Sequence, residues 1–415
     1  MAQLNITLNQ DEILQLLSED RNDAFKTLLQ EALNTVLKSE SEAQLHAEPY
    51  GRSDQRVDYR NGFRDRELNT RIGTLTLKVP RHRNVPFRSM IFDTYTRSES
   101  ALVACMMEMV VNGVSTRKVS KVIETLCGTS ISKSAVSDIC RELDEKVLAF
   151  KSRPLERSYP FVTIDATYFK VRENSRVISK AFMVAYATND HGKREIIGFD
   201  TYPNESKDTW ESFLKGLKKR GLKDILMITS DAHEGIRYAA DQVFPEASWQ
   251  RCQFHFTQNI IDKAPKKYQK GLSSELQDLW NMDRLTDARR RRDEIIDDYQ
   301  DVAEEAMECL DQGFDDAMTV MSLPRFLRKY FRTSNHIERL NKELKRRSKV
   351  IGVFPNCESL IRLMGAVLQE RDEKIQSDSR PMFTNKTYQM IMKQEVFEEL
   401  HQIAEIQHNN LAMAA

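Results

Sequence analysis

The sequence has few of the features that mark secreted, disulfide-stabilised or membrane-spanning proteins. Only six of its 415 residues are cysteine, and none of them forms a CxxC pair. The first residues, MAQLNITLNQDEILQLL, lack the basic and then apolar pattern of a secretion signal. No apolar run approaches the roughly 20 residues of a membrane span. These absences predict free thiols in a reducing cytoplasm and no membrane association.

A net charge of one sign is also missing, because 62 Lys and Arg residues balance 62 Asp and Glu residues. The charge is nevertheless unevenly distributed. Residues 323–350 contain ten basic and two acidic residues, a net charge of +8, and residues 50–97 contain eleven basic and five acidic residues, a net charge of +6. Local basic patches attract polyanions whatever the total charge, so nucleic acid is a candidate partner.

The first 97 residues divide into a helical and a β-containing segment. Apolar spacing within residues 11–45 predicts amphipathic helices, so residues 1–49 form a helical region that either mediates oligomerisation or packs locally. In residues 50–97, TLTLKV alternates like a half-buried strand, and arginines interleave with aromatic residues. This segment either contacts a nucleic-acid backbone or forms a solvated hairpin. The candidate DNA contacts are Arg60, Arg64, Arg66 and Arg71.

Residues 98–150 have the pattern of short helices with turns between them. The turns contain Asn112-Gly113 and Cys127-Gly128, and a Ser is available to cap each following helix. This arrangement predicts a helix-turn-helix domain whose last helix enters the DNA major groove. Three-helix connectors that bind nothing have the same pattern. The residues that the last helix would present to DNA are Lys133, Ser134, Ser137 and Arg141.

Beyond Pro154 the pattern changes to apolar strands. Three consecutive strands, a crossover helix and a further strand predict a mixed sheet with helices packed on it, and SWQRCQFHF is a candidate fifth strand. Residues 256–322 are helical and highly charged, which indicates an inserted helical domain. The sheet domain therefore spans residues 155–255 and 323–376, and residues 377–415 form a C-terminal helical tail.

Two aspartates in this sheet are candidate functional residues. Asp165 lies within the apolar strand FVTIDATYF, where an ionised carboxylate requires a compensating cation or hydrogen-bond donors. Asp231 follows the apolar strand LMITS, at the strand end where α/β sheets bind ligands. Each aspartate could instead have a purely structural role. Asp165 could pair with a Lys or Arg, and Asp231 could cap the helix that follows it.

A third acid, Glu338, lies in the basic segment TSNHIERLNKELKRR. Asn335 followed by Glu338 is a common helix start, with an N-cap residue and an acidic residue three positions later. Alternatively, Glu338 holds a metal ion beside bound phosphate. Helical periodicity predicts a buried stripe of Ile337, Leu340 and Leu344. The basic residues on the rest of this helix are candidate DNA contacts, namely Arg339, Lys342, Lys345, Arg346 and Lys349.

Magnesium typically takes one or two protein carboxylates and completes its shell with water and phosphate oxygens. Three acids around two such ions, roughly 3.5 to 4 Å apart, would clamp the attacking and leaving oxygens of a displacement at phosphorus. The sequence leaves open whether Asp165, Asp231 and Glu338 meet.

Several segments, in order, resemble the bacterial Mutator-type insertion-sequence transposases. They include YRNGFRDRELNTRIGTLTLKVPRHRN, FVTIDATYFKVRE, ITSDAHEGI, WQRCQFHFTQNI and SNHIERLNKELKRRSKVIGVFPN, and the resemblance covers about residues 50–376. It implies an α/β fold with a ribonuclease H-like mixed sheet, helices on both faces and an all-helical insertion. It also implies a DDE triad, which falls on Asp165, Asp231 and Glu338, and two Mg²⁺ ions, for which Mn²⁺ is a possible substitute. No organic cofactor is expected.

Further residues are expected to support the site. Cys252 and His255 match the Cys-x-x-His signature of the family, but zinc normally needs at least three protein ligands and no second pair stands out. Local packing or active-site support is therefore the favoured interpretation. His233 is either a substrate contact or an ordinary loop histidine, and Asn335 completes the predicted supporting residues.

The resemblance implies a DNA transposase that binds the terminal inverted repeats of its element. Its partners would be double-stranded DNA, as repeats and target, and further copies of itself in a homodimer or larger assembly. The expected location is the bacterial cytoplasm, on the nucleoid when bound to DNA. The alternatives are a hydrolytic nuclease of the same fold and a catalytically silent DNA-binding regulator.

Overall fold

The chain divides into two units, Met1–Glu142 and Leu143–Ala415. The computed structural model describes residues 21–49, 51, 56–70, 73–89, 100–127, 131–378, 380–393 and 395–414. Within these residues, no helix is both long and apolar enough to cross a lipid bilayer.

The first unit begins with a helix packed on a two-stranded antiparallel ribbon. Helix α1 spans Arg21–Leu45, and the ribbon is formed by β1, Arg60–Thr70, and β2, Gly73–His82. The predicted alternation of TLTLKV is confirmed, because Leu75, Leu77 and Val79 are buried and pack together with α1 residues such as Leu37. The helix therefore packs locally, as one of the two predicted alternatives requires.

The rest of this unit is a group of three short helices. They are α2, Ser100–Val111, α3, Thr116–Cys127, and α4, Lys133–Ile139, and a 3₁₀ turn, Cys140–Glu142, follows them. Their shared core contains Leu102, Val103, Met106, Val119, Ile123, Ile131 and Val136. Ser132 caps α4 by accepting a hydrogen bond from Ala135 N at 3.1 Å. The helix-turn-helix interpretation of these helices stays a prediction.

The second unit contains a mixed five-stranded sheet, as the sequence predicts. Helix α5, Leu143–Ser152, leads into β3, Phe161–Glu173, β4, Arg176–Thr188, β5, Arg194–Tyr202, β6, Met227–Ser230, and β7, Ser248–Arg251. The strand order is β5-β4-β3-β6-β7. Strands β3, β4 and β5 pair antiparallel, whereas β6 runs parallel to both β3 and β7. The candidate strand in SWQRCQFHF is β7.

Helices cover both faces of this sheet. On one face, Val162 and Ile164 pack against α6, Lys207–Lys219, and α7, Glu234–Val243. On the other face, Phe161 stacks on Phe331 with ring centroids 4.0 Å apart. The helices that follow Ser322 are α12, Arg325–Phe331, α13, Asn335–Ser348, α14, Cys357–Asp378, α15, Asn385–Lys393, and α16, Glu395–Ala414.

A group of helices lies in the sequence between β7 and α12. It comprises α8, Gln253–Lys263, α9, Lys266–Trp280, α10, Leu285–Tyr299, α11, Glu304–Met318, and a 3₁₀ turn, Thr319–Ser322. This group has an apolar core of its own, which includes Phe256, Leu272, Leu276, Ile295, Leu310 and Phe314. The first residue of the group contacts the segment that follows α12, because Gln253 N donates to Arg332 O at 3.0 Å.

The turn between β4 and β5 requires glycine. Gly192 has φ +74°, and a Cβ atom there would lie 2.3 Å from the carbonyl oxygen of Phe383. Gly192→Ala should therefore lower the free energy of unfolding by about 1–3 kcal/mol. Gly216→Ala is the matched control, because a Cβ atom at this position in α6 meets nothing within 4 Å. It should stabilise the protein by roughly 0.5–1 kcal/mol. Urea unfolding measures both, and equal midpoints would contradict the prediction.

Candidate active site

Two aspartates lie side by side on neighbouring strands. Asp165 belongs to β3, and Asp231 directly follows β6. The parallel register pairs Thr163 with Thr229, and continuing it by two residues places Asp231 alongside Asp165. Since side chains alternate along a strand, Asp165 points to the sheet face that also carries Phe161. The alternating side-chain direction of β3 therefore places this carboxylate on the face on which α12 and α13 pack.

The carboxylate of Asp165 is partly buried and is held by two hydrogen bonds. Its Oδ2 accepts a hydrogen bond from Asn341 Nδ2 at 2.7 Å, and its Oδ1 accepts one from Ala166 N at 2.9 Å. Among the described residues no Lys or Arg forms an ion pair with it, so the predicted alternative of a structural ion pair is wrong. Burial first, and then the Asp231 carboxylate, raise the pKa of Asp165 to about 7. A bound cation would stabilise the ionised carboxylate and so lower this pKa.

Asp231 does not cap the helix that follows it. Helix α7 begins at Glu234, and its N-cap is His233, whose Nδ1 accepts a hydrogen bond from Gly235 N at 3.2 Å. The capping alternative for Asp231 is therefore wrong. The Oδ1 of Asp231 instead accepts a hydrogen bond from His233 N at 3.3 Å, which orients the carboxylate at the end of β6. His233 thus has a structural role as the helix cap.

Glu338 lies in the first turn of α13. The helix begins at Asn335 and its N-cap is Ser334, so the predicted capping by Asn335 is wrong by one residue. The Ser334 hydroxyl donates to Glu338 Oε1 at 3.1 Å. The predicted buried stripe is confirmed, because Ile337, Leu340 and Leu344 are all buried. This stripe fixes the rotation of the helix and holds Glu338 at the edge of the packed side.

Asn341 is a residue of this site that the sequence interpretation missed. It follows Glu338 by three residues, which places both side chains on one face of α13. Its side chain is 7% exposed and joins α13 to Asp165 through the 2.7 Å hydrogen bond. Its Oδ1 is buried and, within the described part of the chain, has no hydrogen-bond partner. A sequence signal was present, because Asn341 occupies a helical position four residues after buried Ile337.

His255 lies among the three acids. Its Nε2 is 3.6 Å from Glu338 Oε1, and it interacts electrostatically with both Asp165 and Asp231. The neighbouring Cys252 thiol, and then Glu338 and Asp231, raise the pKa of His255 to about 9, against the effect of burial. The imidazole is therefore cationic at neutral pH. His255 therefore interacts electrostatically with each of the three predicted acids.

Glu205 is a second acid that the sequence interpretation missed. It precedes Ser206, the N-cap of α6, and is partly buried. Burial first, and then the Asp231 carboxylate, raise the pKa of Glu205, against the opposing effect of His233. It is also one of the charges that raise the pKa of Asp165. Nothing in the loop sequence PNESKD distinguishes this acid from its exposed neighbours.

The donor atoms of this site suit a hard divalent cation. Mg²⁺ binds oxygen ligands, usually one or two carboxylates together with water and substrate oxygens. The carboxylates of Asp165 and Asp231 provide such ligands, and the raised pKa of Asp165 shows that its negative charge lacks sufficient compensation. The orphaned Oδ1 of Asn341 is a further oxygen donor in contact with the same cluster. The residues present therefore fit Mg²⁺.

The basic residues of α13 differ in their surroundings. Four of the predicted DNA contacts, Arg339, Lys342, Lys345 and Lys349, are exposed. The fifth, Arg346, forms an ion pair with Glu343 at 2.7 Å. Arg347 is buried and pairs with both Glu343 and Glu370, so its charge serves the packing of α13 on α14.

The predicted DNA contacts of the first unit also differ. On α4, Lys133, Ser134 and Ser137 are exposed, while Arg141 pairs with Asp138 at 3.3 Å. The guanidinium of Arg60 donates to the carbonyl oxygens of Ala47 and Glu48 at 2.7 and 3.1 Å, so it anchors the chain locally. Two further predicted contacts lie on strand β1, where Arg64 is exposed and Arg66 is half-buried. Arg71 lies outside the described residues.

The raised pKa of Asp165 predicts a pH dependence of stability. The folded protein keeps a proton on Asp165 up to about pH 7, whereas the unfolded chain releases it near the ordinary aspartate pKa of 3.8. Stability of the metal-free protein should therefore fall as the pH rises from about 4 to 7. Asp165→Asn should remove this contribution, which amounts to roughly 2–3 kcal/mol between pH 5 and pH 7.5 at about 1.4 kcal/mol per pKa unit. Urea unfolding in EDTA at pH 5 and pH 7.5 tests it. A wild-type minus variant difference that is the same at both pH values would contradict it.

Comparison with known proteins gives a consistent result. The family model described as "Transposase, Mutator family" matches residues 1–377. The chain is 40% identical over 385 residues to the transposase for insertion sequence element IS256 in transposon Tn4001 of Staphylococcus aureus, which covers 92% of this chain and 98% of that protein. It is 37% identical over 351 residues to the transposase for ISRM5 of Rhizobium meliloti, covering 85% and 88%. It is 34% identical over 366 residues to the transposase for IS1081 of Mycobacterium tuberculosis, covering 87% and 88%.

Proposed function

Because the chain belongs to the Mutator family of transposases, we propose that it cleaves DNA at the ends of its own insertion sequence and joins those ends to target DNA. One observation carries this proposal. The register of β3 and β6 places Asp231, directly after β6, alongside Asp165, and His255 interacts with both aspartates and with Glu338. Both reactions are displacements at phosphorus, for which such a set of carboxylates provides the ligands.

We assign Asp165, Asp231 and Glu338 as the catalytic triad and as the residues that hold two Mg²⁺ ions. When bound, these ions lower the pKa of the attacking oxygen and neutralise the charge that develops at phosphorus. The protein positions the ligands. Asn341 and Ala166 fix the two oxygens of Asp165, and Ser334 fixes Glu338. His255 limits the repulsion between the acids before DNA and metal are bound.

The sheet supports the proposal of a ribonuclease H-like fold. Three antiparallel strands continue into two parallel strands. Asp165 lies on the central strand β3, and Asp231 directly follows the neighbouring strand β6. Helices pack on both faces, and the helical group α8–α11 separates Asp231 from Glu338 in the sequence. This helical group corresponds to the proposed insertion domain.

We propose that terminal repeats are bound by residues of about 50 to 150 and that the exposed face of α13 contacts the DNA backbone. Since both ends of the element must be processed together, a homodimer or larger assembly would act. The exposed residues of α4 would read the sequence, and the lysines of α13 would contact phosphates.

The lysines of α13 give a quantitative prediction. Lys342→Ala with Lys345→Ala should weaken binding to all DNA sequences alike and reduce the slope of log affinity against log salt by about 2, since phosphate contacts release counterions. Fluorescence anisotropy at several salt concentrations measures the slope. The matched control is Lys215→Ala with Lys219→Ala on α6, which covers the opposite face of the sheet. Equal slopes for the two double variants would contradict the assignment.

The proposed reaction is tested with purified protein, Mg²⁺, a pre-nicked DNA end of the element and a supercoiled target plasmid. Joined products are expected. Hydrolysis of the end without any joined product would instead identify a nuclease of the same fold. DNA binding without either product would identify a regulator that has lost catalysis.

A further inference from the structure

Three side chains of different chemistry converge beside the two aspartates. They are the Cys252 thiol, the His255 imidazole and the Glu338 carboxylate, and one ligand atom of each lies within 4.8 Å of the other two. Cys252 and His255 alone offer only two metal ligands. The fold provides the third from α13, a helix that lies beyond the whole helical group in the sequence.

The thiol is held in surroundings that favour its anionic form. Cys252 is the N-cap residue of α8, and His255 follows three residues later on the same side of the first turn. The Cys252 side chain is fully buried, and its Sγ accepts a hydrogen bond from Ser334 N at 3.3 Å. The Ser334 hydroxyl lies 3.1 Å from both Cys252 Sγ and Glu338 Oε1, so its one proton is shared between them. Such donors and the positive end of a helix dipole stabilise a thiolate, which is the form that binds metals.

The imidazole and the carboxylate are partly open to solvent, whereas the thiol is buried. His255 interacts electrostatically with the Cys252 thiol, but its buried Nδ1 has no aligned hydrogen-bond partner within the described residues. The side chains of His255 and Glu338 are 31% and 15% exposed, whereas Cys252 is fully buried. A cation could therefore reach the ligand atoms from the side of His255, and water from the solvent would complete its coordination.

We propose that Cys252, His255 and Glu338 form a binding site for a thiophilic divalent cation, with Zn²⁺ as the best match. A thiolate, an imidazole and one carboxylate, completed by water, make the tetrahedral set that zinc prefers, whereas Mg²⁺ selects oxygen ligands. The site shares one ligand with the proposed catalytic metal site. Zinc bound here takes Glu338 away from Asp165 and Asp231, so it inhibits strand transfer. This consequence depends on the proposed function, but binding of the ion does not.

The binding test uses the full chain freed of metal, titrated with Zn²⁺ in a calorimeter and with Co²⁺ in a spectrophotometer. We expect one ion per chain and, with Co²⁺, the near-ultraviolet absorption of a cobalt–thiolate bond. Cys252→Ser and His255→Gln should each weaken Zn²⁺ binding at least about tenfold. The control Cys105→Ser removes an exposed thiol and should change neither result. Equal Zn²⁺ affinity of wild type and Cys252→Ser, or a cobalt complex without the thiolate band, would overturn the site.

Circular dichroism melting shows whether each variant is folded. If Cys252→Ser does not fold, the cobalt spectrum of the wild type and the affinity of His255→Gln decide the question. The inhibition test adds Zn²⁺ to a strand-transfer assay at constant Mg²⁺, where at least tenfold inhibition is expected at saturating Zn²⁺. Binding without inhibition of an active enzyme overturns the shared role of Glu338. Binding by a protein that never joins strands supports the site and counts against the proposed function.

Discussion

Asp165→Asn is expected to lower the rates of strand cleavage and strand transfer at least about 10³-fold while leaving DNA binding intact. A metal ion contributes several kcal/mol of charge stabilisation to displacement at phosphorus, and each 1.4 kcal/mol corresponds to about tenfold in rate. The amide that replaces the carboxylate keeps its size but loses the charge that holds the ion. Gel assays of nicked and joined products at saturating Mg²⁺ measure the effect.

The control for Asp165→Asn is Asp200→Asn. Asp200 belongs to the same sheet, on β5, and forms an ion pair with Lys151 at 2.7 Å. Its removal should leave both rates unchanged, because its charge compensates a lysine and not a bound ion. If Asp165→Asn supports normal transposition in cells while DNA binding persists, the catalytic assignment fails.

Asn341→Leu is expected to lower the rate of strand transfer by about 10- to 100-fold, the usual cost of losing a residue that orients a metal ligand. Leucine has a similar size but donates no hydrogen bond, so the Oδ2 of Asp165 loses its 2.7 Å contact. The Mg²⁺ concentration at half-maximal rate should rise in parallel. A purely structural role would lower stability without moving this concentration.

Two measurements distinguish a role of Asn341 in positioning the metal ligand from a purely structural role. Mn²⁺ binding, followed by electron paramagnetic resonance, reports metal affinity independently of turnover and should weaken in Asn341→Leu. Gln369→Ala on α14 removes a helical amide that bonds only to Glu373 among the described contacts, so it should behave as wild type. An Asn341→Leu protein with normal metal dependence and normal rate would remove Asn341 from the site.

The sheet was predictable from the sequence because its strands are apolar runs bounded by clear turns. The two errors at helix starts have a common cause. His233 rather than Asp231 caps α7, and Ser334 rather than Asn335 precedes α13. Several neighbouring residues were able to accept the first N–H groups, and only the path of the chain selects among them.

Asn341 and Glu205 were missed for a different reason. Their surroundings are created by segments distant in sequence, since Asn341 meets Asp165 across the interface between α13 and β3. The Cys252–His255 pair was visible as a spacing, but its relation to Glu338 depends on where α13 returns to the sheet. Joining the three acids also required the family resemblance, because no local pattern links residues so far apart.

The close approach of Gln253 to Arg332 and of Cys252 to Ser334 gives the helical group α8–α11 a narrow base. A segment whose two ends are fastened together can be lengthened, shortened or exchanged at little entropic cost. The base also adjoins two of the proposed triad residues, because Ser334 donates to Glu338 and Cys252 N donates to the carbonyl oxygen of Ser230, the residue before Asp231. A change in this group that moved its base would therefore act on both of these carboxylates.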